Sequence, residues 1–167
     1  MQRWCRHTRC MKTHTPVRRP DTVPIDDGRP ADLRGLIELD RLCFGVRAWP
    51  ARAWWEVLNE VGWMPRVVRG GGTVVGASVL LPAAPISSLA SIAVHPAWRR
   101  RGLGVALLDD AIELARHASS RWLSLTVDRD HGPARRLYRR QGFGTALRRS
   151  ENGLARIEML RRLGRRA

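Results

Sequence analysis

Residues 87–128 constrain the fold of this chain more than any other stretch. "SSLASIAVH" (87–95) has the composition of a strand, and "RWLSLTVD" (121–128) is a strand with clear alternation. Between them lie the loop "RRRGLG" and an apolar helical stripe over 102–118. A strand that ends at a glycine-rich loop and continues as a helix carries that loop to a sheet edge, where ligands bind in open α/β folds.

The rest of the chain supplies further layers. "PADLRGLIELDRLCF" (30–44) carries Leu33, Leu36, Ile37, Leu42 and Cys43 as a helical stripe, Leu39 more weakly, with proline in the first turn. "WPARAWWEVLNEV" (49–61) places Trp54, Val57, Leu58 and Val61 at helical spacing. "PRVVR" and "TVVGASVLL" flank the glycines 70–72 as a hairpin. "PARRLYRRQ" (133–141) is a short helix, and "FGTALRRS" and "LARIEML" frame a closing turn at Glu151, Asn152 and Gly153. The order β α α β β β α β α β β mixes hairpins with βα units. It predicts an α/β (α+β) layer with helices packed on a central sheet.

The chain has 167 residues, enough for one domain with a core of its own. Its formal charge of +15 is uneven. Residues 1–24 carry six basic groups and one acid, and residues 161–167 carry four arginines and no acid. The expected organisation is a disordered basic arm over 1–24, a folded domain over 25–160 and a basic tail over 161–167. Lys12 is the only lysine, so an arginine-for-lysine bias explains part of the charge. The tails also suit contact with RNA or a ribosome. Three cysteines, Cys5, Cys10 and Cys43, argue against a disulfide framework. Cys5, His7, Cys10 and His14 match no compact zinc module, and no metal is expected. No run of 18 apolar residues suggests a membrane span, and the basic start lacks the apolar segment of a secretory signal. A cytoplasmic protein is the expectation.

"RRRGLG" is neither a Walker loop nor a dinucleotide fingerprint, because no Lys-Ser or Lys-Thr follows and Leu107 stands where a third glycine belongs. Its physics is still that of an anion site. Gly102 and Gly104 leave backbone bare, and the first amides of a helix point outward at the positive end of its dipole. Arg99, Arg100 and Arg101 add charge. A glycine turn with solvated arginines is the plainer alternative.

The second stretch, "LTVDRDHGPARRLYRRQGF" (125–143), narrows the choice. "IAVHPAWRRRGLG" followed by Ala134-x-x-Leu137-Tyr138-x-x-x-Gly142-Phe143 resembles the GCN5-related N-acetyltransferases over about residues 25–160. The first half is similar to that family's Arg/Gln-x-x-Gly-x-Gly/Ala pyrophosphate loop. The resemblance implies a mixed, mostly antiparallel sheet of six to seven strands with about four helices, and acetyl-CoA as cosubstrate. It implies that the backbone of Ile92, Ala93 and Val94 pairs with the pantetheine arm. The amides from Arg99 through Arg100, Arg101, Gly102 and Leu103 to Gly104 would hold the pyrophosphate. Tyr138, the only tyrosine, would stand near the thioester sulfur as acid or hydrogen-bond donor. A packing role with a satisfied hydroxyl is its alternative.

Two positions depart from the family pattern. His131 stands where the family has Asn, and imidazole can still donate to the cofactor. The expected catalytic glutamate is missing: "LASIAVH" has no acid, and "LTVD" puts Thr126 where the ribosomal-protein alanine branch reads "LEVR". Alternation puts Asp128 on the same face as Thr126, about 6.6 Å along the strand. It could accept a proton through a water held by Thr126. His95, Glu56 and Glu60 are weaker candidates, Asp128 also reads as a surface acid at a strand end, and an amine arriving neutral needs no base.

"CFGVRAWPARAWWEVL" is similar to the acceptor-facing "FPWSxxxF" region of the same branch, with Trp49 and Trp54 matching and the proline displaced. Packing alone also accounts for Trp54 and Trp55. The favoured acceptor is a protein N-terminal α-amine, with a small-molecule amine or a non-catalytic CoA-binding or RNA-associated module as alternatives. The protein would act as a monomer or homodimer.

Overall fold

The computed structural model describes residues 24–151 and 153–164. The expected arm up to position 23, with the Cys5, His7, Cys10 and His14 group, and residues 165–167 lie outside the described residues.

Seven strands form one sheet in the order β1-β2-β3-β4-β5-β7-β6. They are β1 (Ile25–Asp27), β2 (Met64–Gly70), β3 (Thr73–Leu81), β4 (Ile86–Val94), β5 (Trp122–Asp128), β6 (Gly144–Glu151) and β7 (Leu154–Arg162). Four α-helices lie on the sheet: α1 (Leu33–Phe44), α2 (Ala51–Asn59), α3 (Leu103–His117) and α4 (Gly132–Arg140). Every neighbouring pair is antiparallel except β4 and β5, which α3 joins as a parallel crossover. The expected mixed, mostly antiparallel sheet of six to seven strands with about four helices is present.

The sheet's alternation separates two cores. Leu123, Leu125 and Val127 of β5 point to one face with Leu108, Ala111, Ile112, Tyr138, Ile157 and Met159. Val67, Ala77, Val79 and Ala93 point to the other, against Leu36, Leu39, Trp54 and Val57. A buried leucine such as Leu108 or Leu123 contributes about 2 kcal/mol by leaving water.

The helices are shorter than their sequence patterns. The first opens as a 3-10 turn (Pro30–Asp32), and the second ends at Asn59. Val61 therefore lies beyond the helix and is fully exposed, and Leu42 is 53% exposed because Leu36, Leu39 and Asp40 take the inner face of α1. The Asp40 carboxylate accepts the Trp49 amide at 2.5 Å. It thereby ties α1 to the connection leading into α2. Burial pushes its pKa up against that hydrogen bond. At the C-terminus β7 runs to Arg162 and Leu163 is buried, so the first residues expected as tail belong to the domain.

Candidate active site

The cleft begins at a β-bulge. Val79 pairs with Ser91 and Leu80 with Leu89, so Ala90 is an extra residue in β4. Bulges bend and twist the strand that carries them. Pairing between β4 and β5 covers only Ile86–Leu89 and Trp122–Leu125, and it stops at the bulge. Beyond it the two strands part. Serines pin the closed end: Ser88 Oγ and Ser124 Oγ lie 3.1 Å apart, and Ser87 Oγ and Ser120 Oγ 2.6 Å.

Strand geometry then decides which backbone groups line the opening. The His95 amide donates to the Val75 carbonyl of β3 at 2.9 Å, and Ala93 stands opposite Ala77. Hydrogen-bonded and non-hydrogen-bonded pairs alternate in an antiparallel ladder. Ile92 and Val94 therefore turn their amides and carbonyls to the open edge, and Ala93 turns its own to β3. Of the three residues expected to pair with a ligand arm, two present backbone groups, and Ala93 contributes its side chain to the core beneath.

At the mouth, the 3-10 turn Pro96–Trp98 leads into Arg99, Arg100 and Arg101. Arg100 has φ +64° and Gly102 φ +81°, which reverses the chain into α3. The first intrahelical bond of α3 runs from the Ala106 amide to the Gly102 carbonyl at 3.0 Å, and no side chain caps the end. The amides of Leu103, Gly104 and Val105 come before that bond and point out of the helix. Gly104 faces the cleft: a Cβ there would sit 3.6 Å from Leu137 Cδ2 and 3.9 Å from Val94 Cγ2. The Arg101 guanidinium lies 5.2 Å from the Trp98 ring centre. The Arg99 Nε donates to the Val94 carbonyl, and the Cys43 thiol, its pKa pushed up by burial, donates to the same oxygen at 3.4 Å.

Tyr138 lies in α4 on the α3 side of the sheet. It is 6% exposed, and its ring is 6.0 Å from that of Phe143. Burial raises its pKa to about 12. Among the described residues none hydrogen-bonds its hydroxyl, which is not sealed from solvent. His131 caps α4, its Nδ1 accepting the Ala134 amide at 3.2 Å. Its Nε2 remains for outward contact.

Thr126 and Asp128 share the opposite face of the sheet, the side of α1 and α2. Thr126 is exposed. Asp128 is ion-paired with Arg47, in the 3-10 turn Gly45–Arg47 after α1, and lies 3.7 Å from Arg156 Nε. Both carboxylate oxygens thus face guanidinium groups. Cross-strand pairing brings Glu158 of β7 opposite Thr126, and the alternation with buried Ile157 and Met159 places Glu158 on the Thr126 face. Sequence reasoning missed Glu158, Arg47 and Arg156. The polar positions of "LARIEML" carried the signal, but only the β5–β7 register shows which residue each one meets. Glu56, another residue weighed as a base, is ion-paired with Arg52 on α2.

Residues 33–143 match the model of the acetyltransferase (GNAT) family. The chain is similar to the crystal structure of the ribosomal-protein-S18-alanine N-acetyltransferase from Escherichia coli, with TM-score 0.77 and 21% identity over 86% of this chain and 96% of that one. It is similar to Arabidopsis thaliana NAA60 in complex with acetyl-CoA, with TM-score 0.75 and 18% identity over 85% and 99%. It is likewise similar to aminoglycoside 6'-acetyltransferase type Ii, with TM-score 0.75 and 18% identity over 86% and 99%. No curated protein matches the sequence significantly. The match to the family model covers well over half of the chain, and the chain belongs to the GNAT acetyltransferase family. It is an acetyl-CoA-dependent N-acetyltransferase. Among the described residues no helix is long and apolar enough to cross a membrane, and no cluster of His, Cys, Asp and Glu could hold a metal ion.

Proposed function

We propose that this enzyme acetylates the α-amine of a protein N-terminus. The observation that carries the reading is the parting of β4 from β5 beyond Ala90. The gap connects two faces of the sheet, with Tyr138 on one and Thr126, Asp128 and Glu158 on the other. The acceptor face is an open surface between the Gly45–Arg47 turn and the β6–β7 hairpin, where Leu147 is 43% exposed and Thr126 is exposed. An exposed face of this kind admits the end of an extended chain, amine first.

Acetyl-CoA supplies the acetyl thioester. The edge groups of Ile92 and Val94 receive the pantetheine amides as an added strand would. The amides of Leu103, Gly104 and Val105 take the pyrophosphate, with Arg99, Arg100 and Arg101 adding charge. The outward Nε2 of His131 serves the cofactor from the start of α4. The Val94 amide polarises the thioester carbonyl. Tyr138 holds its proton across the working range and donates to the departing sulfur. Thr126 holds water on the acceptor face. Asp128, held by Arg47 and Arg156, fixes the turn that borders this face.

Thiol release from acetyl-CoA with two peptide pools tests the acceptor. One pool has free α-amines and no lysine, the other blocked N-termini and one lysine. Release with the first alone is expected. Release with neither, but with a panel of small primary amines, moves the acceptor to a small molecule.

A further inference from the structure

We infer that Glu158 is the general base of this enzyme, a catalytic residue supplied by β7 in place of a carboxylate on β5. The inference rests on the acetyltransferase reading and deepens it. Position 126 is the first residue of β5 beyond its pairing with β4, so its side chain stands where the cleft opens. A threonine there has no proton acceptor of useful strength. Thr126 and Glu158 are direct cross-strand partners. Side chains of such partners leave the sheet on one face with Cβ atoms about 4.5–5.5 Å apart. The Glu158 carboxylate turns toward Arg149 of β6 in this structure, and from the same face it can swing to the space beside Thr126 where the cleft opens.

Two other acids near the opening, Asp128 and Asp40, are committed elsewhere. Asp128 is a further turn of the pleat away and faces Arg47 and Arg156. Asp40 is buried and accepts the Trp49 amide. Glu158 is ion-paired with Arg149 Nη2 at 3.5 Å, and Arg149 is 66% exposed, so this pair is loose and screened. Its side chain is 32% exposed, open enough to meet an acceptor and close enough to the sheet to be held.

The two faces divide the proton traffic. The acceptor arrives as an ammonium on the α1–α2 side and gives one proton to the Glu158 carboxylate. Its nitrogen lone pair forms the N–C bond to the thioester carbonyl carbon, and the C–S bond breaks with its electron pair on sulfur. Sulfur takes the Tyr138 proton from the other face. The amide nitrogen sheds its second proton, which restores Tyr138 through solvent, and Glu158 returns its own to water. One acetamide, one thiol and one free proton result.

The test compares Glu158→Gln, Glu158→Asp and the double variant Glu158→Gln/Thr126→Glu, using the peptide pools and amine panel as acceptors. The expected fall in kcat for Glu158→Gln is about a hundredfold or more, with the acetyl-CoA KM kept. The double variant, which returns a carboxylate to the same face from β5, should recover most of that loss. If Glu158→Gln does not fold, Glu158→Asp carries the comparison: a lowered kcat with the acetyl-CoA KM kept supports the inference, and a kcat within twofold of wild type overturns it. A separate readout needs no turnover: the Glu158 carboxyl carbon resonance, assigned by its loss in Glu158→Gln, should move when free coenzyme A fills the cleft. Turnover of Glu158→Gln within twofold of wild type overturns the inference. So does a resonance indifferent to coenzyme A. A wild-type protein that releases no thiol with any acceptor removes the acetyltransferase reading, and this inference with it. An active wild type with an equally active Glu158→Gln removes this inference alone.

Discussion

Arg99 Nε lies 3.1 Å from the carbonyl oxygen of Val94, the last residue of β4. That carbonyl faces the open edge and has no strand partner, so side chains satisfy it. Arg99 is thus drawn inward by the group that an incoming pantetheine amide would use. Replacing Arg99 with Met removes the competitor and also one positive charge at the loop proposed to hold the pyrophosphate. The charge is expected to dominate. Acetyl-CoA should bind about fivefold more weakly, on the scale of ~1 kcal/mol for one exposed pair, and less weakly as salt rises. Isothermal titration at two salt concentrations checks this. Tighter binding by the variant would show that Arg99 acts only as a plug.

Tyr138 is the only tyrosine in the chain, so tyrosinate absorbance reports it directly. The folded protein should titrate at about 12, as burial dictates, and the urea-unfolded chain near the ordinary value of about 10. The folded pKa lies above the unfolded one. Its contribution to stability is therefore complete below pH about 10 and is lost as pH rises through about 12, a change on the order of 2–3 kcal/mol. Tyr138→Phe should flatten that alkaline limb in urea unfolding. The same variant should lower kcat by roughly a hundredfold while leaving the cofactor affinity nearly unchanged. Equal turnover would take Tyr138 out of the chemistry.

The two glycines of the loop should fail differently. Gly102 has φ +81° and open space around it, so Gly102→Ala strains the backbone by about 1–2 kcal/mol without a clash. Gly104 lies in α3, and a methyl there makes ordinary contacts with Leu137 and Val94. Gly104→Ala should keep the melting temperature or raise it slightly, since alanine favours the helix. Gly104→Phe should fold but block the slot between β4 and α4 and abolish coenzyme A binding. Thermal melts with and without coenzyme A separate the two effects.

Much of this architecture was legible in the sequence, because hydrophobic periodicity reports which side of a strand or helix is buried. Leu123, Leu125 and Val127 against Ser124, Thr126 and Asp128 is such a pattern, and the structure follows it. The RRRGLG loop was legible because positive φ and bare amides leave a glycine signature, although Arg100 shares the left-handed conformation with no such mark. What stayed hidden depends on contacts distant in sequence. The Ala90 bulge leaves no compositional trace, and the Ser87–Ser120 and Ser88–Ser124 pins join residues whose spacing carries no period. Glu158 was hidden for the same reason, since its meaning comes from the residue across the ladder.

Gly70 ties the hairpin to the RRRGLG loop. A Cβ built at Gly70 would stand 2.7 Å from both Cη2 and Cζ2 of Trp98, which real contacts do not allow. The Trp98 ring packs against Val68, Val75, Leu103 and Leu107, and it carries Arg101 on its face. Gly70→Ala must therefore move the ring. Overpacking of this kind costs about 1–3 kcal/mol, which urea unfolding will read. Because the ring sits one residue before the arginine run, the displacement should also reach the loop and weaken coenzyme A binding. Adding Trp98→Leu removes the clash and should restore much of the stability. It also removes the surface under Arg101, a contact of about 0.5–1 kcal/mol at an exposed site, so binding should recover only in part. Full recovery of both would show that the ring merely fills space. Recovery of stability alone would show that Trp98 holds the loop in its binding geometry.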